Sequence, residues 1–330
     1  MKKIIIVFMV LCLFLTGCGV QNQRSVTKDL EKKINSNHAY LIKGNLSVNN
    51  NDDIYNYDIS IQYKEKDLYK VTITNTANEY TQIILKNEEG VYVLTPALNK
   101  SFKFQSDWPN QNSQIYLLKS LLKDILEDQN LQFTKTDHGY LFQTKVHYPN
   151  NSKLSYQKIS FDKKLNLKKV IVYDKKGIDQ MNFTVTKLDW NPNMKKKEFS
   201  TESIVKKNQV ESTKETNTLD DVIYPLLLPN GTKLVDEEKV QKENGERVIM
   251  NYDGEKSFLL VEETIDVFKD FTIIPTSGEP YPLMDTLGVM TDNSLSWTSG
   301  NLEFYIVSDV LSQDEMIEIA QSITGVPSIK

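Results

Sequence analysis

The stretch YNYDISIQY, residues 55 to 63, changes character at every step. Tyr55, Tyr57, Ile59, Ile61 and Tyr63 fall on one side of an extended chain, and Asn56, Asp58, Ser60 and Gln62 on the other. Such a period of two marks an antiparallel strand with one face in a core and one in water. LYKVTIT (68–74) repeats it with Tyr69, Val71 and Ile73, and TQIILKNEEGVYVLTP (81–96) reads as two strands around a turn at Asn87 to Gly90. LQFTKT, a turn at Asp137-His138-Gly139, then YLFQTKV, KLSYQKISFD, NLKKVIVYD and MNFTVTKLDW continue the series. The pattern predicts a meander of about eight or nine strands.

Two segments carry the helical period instead. Val26, Leu30 and Ile34 stand four apart between Ser25 and Asn37, with Ser25 as the expected N-cap. SQIYLLKSLLKDILED (113–128) puts Leu118, Leu121, Leu122 and Ile125 on one stripe, with Ser113 as its expected cap. These elements predict a mainly β, α+β fold, a strongly curved antiparallel sheet whose concave apolar face a few helices cover. Asn191 to Asn217 is rich in Lys, Glu, Ser, Thr and Asn and reads as a linker with one edge strand. A smaller α+β unit follows, with strand candidates RVIMNYDG, KSFLLVEETI and NSLSWTSGNLEFYIVSD. It closes on a helix from about Ser312, where Glu315 completes a capping box.

At the other end, Lys2 and Lys3 precede an apolar run from Ile4 to Leu15, followed by Thr16 and Gly17, the layout of a secretory leader. The run is too short in a helix to span a ~30 Å hydrocarbon core. Only two cysteines occur, Cys12 inside the run and Cys18 after it. Cleavage before Cys18 would leave no disulfide for a chain facing outside the cell. The expected division is therefore a leader at 1–17, a tether at 18–25, a first domain at 26–199, a linker at 200–217 and a second domain at 218–330.

Charge divides along the same line. Residues 18–210 hold 29 Lys and Arg against 21 Asp and Glu, whereas residues 211–330 hold 8 against 23. Either the two halves simply carry different surfaces or dock on one another, or the basic half beside a membrane anchor suits an anionic leaflet; outside the cell nucleic acid is not an expected partner. His38, His138 and His147 have no metal-ligand spacing, and no nucleophile elbow, P-loop or dinucleotide fingerprint occurs. Paired acids such as Asp52-Asp53, Glu88-Glu89 and Asp220-Asp221 fall at turns or element starts, and Lys195-Lys196-Lys197 reads as a solvated face. The expectation is a protein that is not an enzyme and needs no cofactor or metal.

Leu15-Thr16-Gly17-Cys18 resembles the bacterial lipobox, in which the cysteine receives a diacylglycerol and the leader is cut just before it. That resemblance implies a lipoprotein anchored at Cys18 on the extracytoplasmic face of the cell membrane, its covalent lipid the sole attached group. Two acyl chains hold where one would be marginal. The first domain resembles the LolA/LolB-type lipoprotein carriers, and more closely the LolA-like lipoproteins of Gram-positive spore formers. The resemblance is carried by the tyrosine strands, DLYKVTI, and YVLTPALNKSFKFQSDWP leading into SQIYLLKSLLKDIL. The second resembles a small extracytoplasmic domain of such lipoproteins through PNG, YDG, Trp297 to Gly300 and the terminal helix.

The resemblance implies a half-barrel whose cavity, lined by Tyr57, Ile59, Ile61, Tyr63, Val71, Ile73, Phe102, Phe104 and Trp108, receives acyl chains or lipoproteins. Lys70 stands where the carriers use an arginine to latch a lid, and its ammonium is a point charge rather than a planar fork. The alternative is a module that binds an envelope or spore protein in sporulation or germination, without lipid.

Overall fold

The computed structural model describes residues 22–50, 53–106, 108–109, 112–148, 151–208, 219, 221–243, 245–266, 268, 270–283, 286–299 and 302–323. It opens with helix α1 (Gln23–Ser36), then strands β1 (Ala39–Asn50), β2 (Asp53–Lys64), β3 (Leu68–Asn75), β4 (Thr81–Asn87), β5 (Gly90–Thr95) and β6 (Lys100–Phe104). Helix α2 (Leu118–Glu127) precedes β7 (Gln132–Lys135), β8 (Gly139–Lys145), β9 (Leu154–Asp162), β10 (Leu167–Asp174) and β11 (Asp179–Asp189). These strands form an open antiparallel sheet in the order β6-β5-β4-β3-β2-β1-β11-β10-β9-β8-β7, more strands than the sequence pattern counts.

The alternation at 55–63 does what its period dictates. Tyr63 pairs with Tyr40 and Ile61 with Ile42 on β1, while Ile61 pairs with Val71 on β3. Val26, Leu30 and Ile34 of α1 and Leu118, Leu121, Leu122 and Ile125 of α2 lie in the same buried cluster, so both helices cover one face. The expected caps are moved. Asn22, not Ser25, caps α1, its Oδ1 accepting from the Ser25 N–H at 3.0 Å. Ser113 lies upstream of α2, its Oγ accepting from the His147 N–H at 2.8 Å.

The opposite face is dry as well, over a small area. Leu68, Ile83, Leu85, Tyr92 and Leu94 cluster there with Met194, Phe199 and Ile204. Both faces of β4 and β5 are therefore buried, the physical reason that IIL and VYVL run apolar without alternation. The covering residues come from the stretch expected to be a linker with an edge strand. It forms a short 3-10 turn at Lys196–Phe199 and helix α3 (Thr201–Asn208) instead. Burying Phe199 and Ile204 is worth about 1.5–3 kcal/mol each, enough to hold a segment of weak periodicity.

A second sheet follows, of β12 (Lys233–Lys242), β13 (Gly245–Asp253), β14 (Phe258–Thr264), β16 (Glu279–Pro282), β17 (Leu287–Met290), β18 (Ser294–Ser299) and β19 (Leu302–Val307). Its order is β12-β13-β14-β19-β18-β17-β16. Helix α4 (Gln313–Ile323) buries Met316, Ile317, Ile319, Ala320 and Ile323 against it. The capping box forms, with the Ser312 N–H donating to Glu315 Oε2 at 2.8 Å and the Glu315 N–H to Ser312 Oγ at 3.3 Å.

One strand of the C-terminal half leaves its own sheet. β15 (Thr272–Thr276) pairs in parallel with β6 and makes the first sheet twelve-stranded. Leu287 and Val289 enter the first hydrophobic cluster, and Lys100 on β6 meets Glu303 on β19 at 2.6 Å.

Candidate functional site

The concave face is mostly filled. Ile59, Ile61, Tyr63, Val71, Phe104 and Trp108 are buried in the packed cluster beneath α1 and α2, and Phe102 is half-buried against it. Tyr63 stacks on Tyr40 at 4.8 Å and leans on Tyr69 at 5.0 Å, and Tyr69 meets the edge of Trp108 at 5.8 Å. Of the residues expected to line a cavity, Tyr57 and Ile73 do so. The void beside them measures about 60 Å³ and lies toward the Asn75 end of β3.

Its other walls come from far along the chain. Leu46, Ile115, Tyr116, Tyr148 and Met181 close the sides, and Leu283, Thr286 and Leu287 of the C-terminal half close the top. Gln82 fastens that top. Its Oε1 accepts from the Leu287 N–H at 2.6 Å and from Thr286 Oγ1 at 3.1 Å, and its Nε2 donates to Leu287 O at 3.4 Å. A buried polar side chain inside TQIILK is the one sequence signal that could have marked this contact. Met181, Tyr148 and Leu287 carry no local signal, because only the sheet curvature and the chain return bring them together.

The polar side chains in the lining of the void are Asn75, Gln82, Gln114 and Thr286, beside the phenols of Tyr57, Tyr80, Tyr116 and Tyr148. Asp124 on α2 accepts from Gln157 Nε2 at 2.7 Å, and burial pushes its carboxyl up to about 6. Burial likewise raises the phenols of Tyr116 and Tyr148. In the second sheet, burial pushes Glu262 up to about 7, although its Oε2 accepts from the Ile223 N–H at 2.8 Å. Among the described residues, no group of three or more His, Cys, Asp and Glu is assembled that could hold a metal.

Lys70 lies on the side of the sheet away from the cluster, since its register partners are Gln62 and Leu85 while those of Val71 are Ile61 and Ile84. Cys18 lies outside the described residues. Among the described residues, no helix is long and apolar enough to cross a membrane.

No family model matches the chain. The sporulation protein YdcC of Bacillus subtilis (strain 168) is 37% identical over 319 residues, covering 95% of this chain and 94% of that protein. Among solved structures, the MucA/MucB complex of Pseudomonas aeruginosa aligns over 90% of this chain and 98% of that one, at 11% identity and a TM-score of 0.34. A LolA superfamily protein of Nitrosomonas europaea aligns over 56% of this chain and all of its own length, at 12% identity and a TM-score of 0.32.

Proposed function

Because the chain belongs to the family of the Bacillus subtilis sporulation protein YdcC, we propose that it is a non-enzymatic sporulation protein that binds a protein partner. It works at the outer face of the cell membrane, held there by lipid on Cys18. The observation that carries this reading is the filled concavity. A void of about 60 Å³ is smaller than the roughly 150 Å³ apolar cavity that takes up benzene. It is far below the 300–1,000 Å³ of ordinary ligand pockets. The fold thus offers partners its outer surfaces and strand edges.

A second reading rests on the same void. Its walls are almost wholly apolar, and the start of β17 at Leu287, which closes its top, is bonded to the Gln82 side chain. Release of Leu287 would lengthen the cavity toward the size of an acyl chain.

The two readings separate in one experiment. Met181→Trp fills the void from its wall, and an overpacked core is expected to cost about 1–3 kcal/mol. A protein-binding function predicts sporulation at the wild-type frequency in such a strain, with no lipid on the purified protein by native mass spectrometry. Stoichiometric bound lipid that Met181→Trp removes, together with lost sporulation, would overturn the first reading in favour of the second. Globomycin, which blocks lipoprotein leader cleavage, is expected to leave the leader attached, and a Cys18→Ser chain is expected to carry no lipid and to keep its leader.

A further inference from the structure

Among the described residues, β12 is the free edge of the second sheet, ten residues long and exposed along almost its whole length. Such an edge offers unpaired backbone groups to any extended chain, and proteins blunt it with shortness, proline or outward lysine. The other edges follow that practice. β7 and β16 have four residues each, β16 carries Pro280 and Pro282, and β15 carries Pro275. β12 has no proline, its exposed lysines Lys233 and Lys239 flank rather than occupy its middle, and each of its last two lysines is held in an ion pair. Lys239 Nζ lies 2.8 Å from Glu246, and Lys242 Nζ lies 3.0 Å from Asp266. The middle of the strand, Asp236-Glu237-Glu238, is exposed and acidic, with Asp236 and Glu238 on one side and Glu237 on the other.

The two sides of this edge differ in a useful way. Glu238 stands opposite Ile249, then Val261 and Tyr305, and Asp236 stands opposite Asn251, then Leu259 and the exposed Val307. Glu237 points to the other side, where it accepts from Tyr224 Oη at 2.7 Å. Two and three residues along the chain from Tyr224, Leu226 is 79% exposed and Leu227 48%.

We infer that β12 docks an extended segment of a partner protein by strand addition, and that this segment alternates basic with apolar side chains. Added to β12, its basic residues extend the rows of Asp236 and Glu238, and its apolar residues turn toward Tyr224 and Leu226. Backbone pairing supplies affinity and alternate side chains supply the choice of partner. The excess of acids over bases after residue 210 steers a basic chain to this half from a distance. A second copy of this chain fits less well, because antiparallel self-pairing about the strand centre sets Glu237 against Glu238.

The inference rests on the protein-partner reading and locates it. Full-length chain is titrated with a short fluorescent peptide alternating lysine and valine, and with its glutamate–valine counterpart. The basic peptide is expected to bind and to slow amide exchange at residues 233–242, and the acidic one to leave both unchanged. Asp236→Lys with Glu238→Lys is expected to weaken binding more than tenfold at an unchanged melting temperature. No binding, equal binding by the variant, or protection confined to β7 or β15 would overturn the inference. So would protection of 233–242 that rises with protein concentration alone, which would assign the edge to a second copy. Photocrosslinking of a sporulation partner through another surface would keep the protein-partner function and reject β12 as its place.

Discussion

Glu262 shows how a single residue ties stability to pH. It is fully buried on β14, and burial lifts its carboxyl from an ordinary value of 4.5 to about 7. A raised acid binds its proton more tightly folded than unfolded, so its contribution is complete below pH ~4.5 and is lost as pH rises through about 7. The loss is on the order of 3 kcal/mol for this group. Asp124 acts with the same sign, from 3.8 to about 6. Urea midpoints should therefore fall between pH 4.5 and 7.5, and Glu262→Gln should flatten that fall. A midpoint that rises over this range in wild type would contradict the assignment.

The buried ion pair is a second such residue-level test. Lys100 and Glu303 are each 9% exposed in their side chains. Removing one partner leaves a buried charge alone, so Lys100→Met is expected to cost about 3–5 kcal/mol, and adding Glu303→Leu should recover most of it. Gly44 is a third. It sits at the register shift between β1 and β11, where an added Cβ would collide with the Thr184 carbonyl and the Phe183 ring. Gly44→Val should therefore lower the melting temperature, while Ser47→Val on the exposed face of the same strand should not.

At the scale of elements, local pattern and tertiary demand agree in most places and part in a few. The strands at 55–63 and 68–75, the helices over Val26–Ile34 and Leu118–Ile125, and the capping box at Ser312 are all legible from spacing, because each element has one wet and one dry side. Ser312→Ala removes a cap used in both directions and should cost about 0.5–2 kcal/mol, read from the unfolding midpoint. Helix α3 was not legible. In its sequence, TESIVKKN, Ile204 alone is deeply buried among the described side chains, and the place of the helix is set by the apolar back of β4 and β5. Phe199→Ala should expose that back and cost about 3–5 kcal/mol, as for a core aromatic.

For the whole molecule, the contacts between the two halves predict one transition rather than two. β15 is a strand of the first sheet supplied by the second half, Leu287 and Val289 sit in the first core, and Gln82 bonds Leu287 twice. Calorimetry should show a single cooperative unfolding peak for the full chain. Gln82→Ala, which leaves the buried Leu287 N–H unpaired at a cost of about 1–3 kcal/mol, should broaden or split that peak. A wild-type scan with two well-separated peaks would mean that these contacts hold the halves only loosely.

The amino-acid sequence by itself determined the strands, the helical stripes, the acidic and basic halves and the small stock of chemical groups. Each of these follows from periods of two or 3.6, or from composition, and needs only neighbours in the chain. Tertiary structure alone decided whether the concave face is a cavity or a core, because the filling side chains arrive from α1, α2 and strand β17, some two hundred positions from Gln82. It also decided that β12 stays an open acidic edge while β15 crosses to the first sheet. Strand pairing at an edge depends on which backbone is brought alongside, and alternation within a single strand carries no record of that.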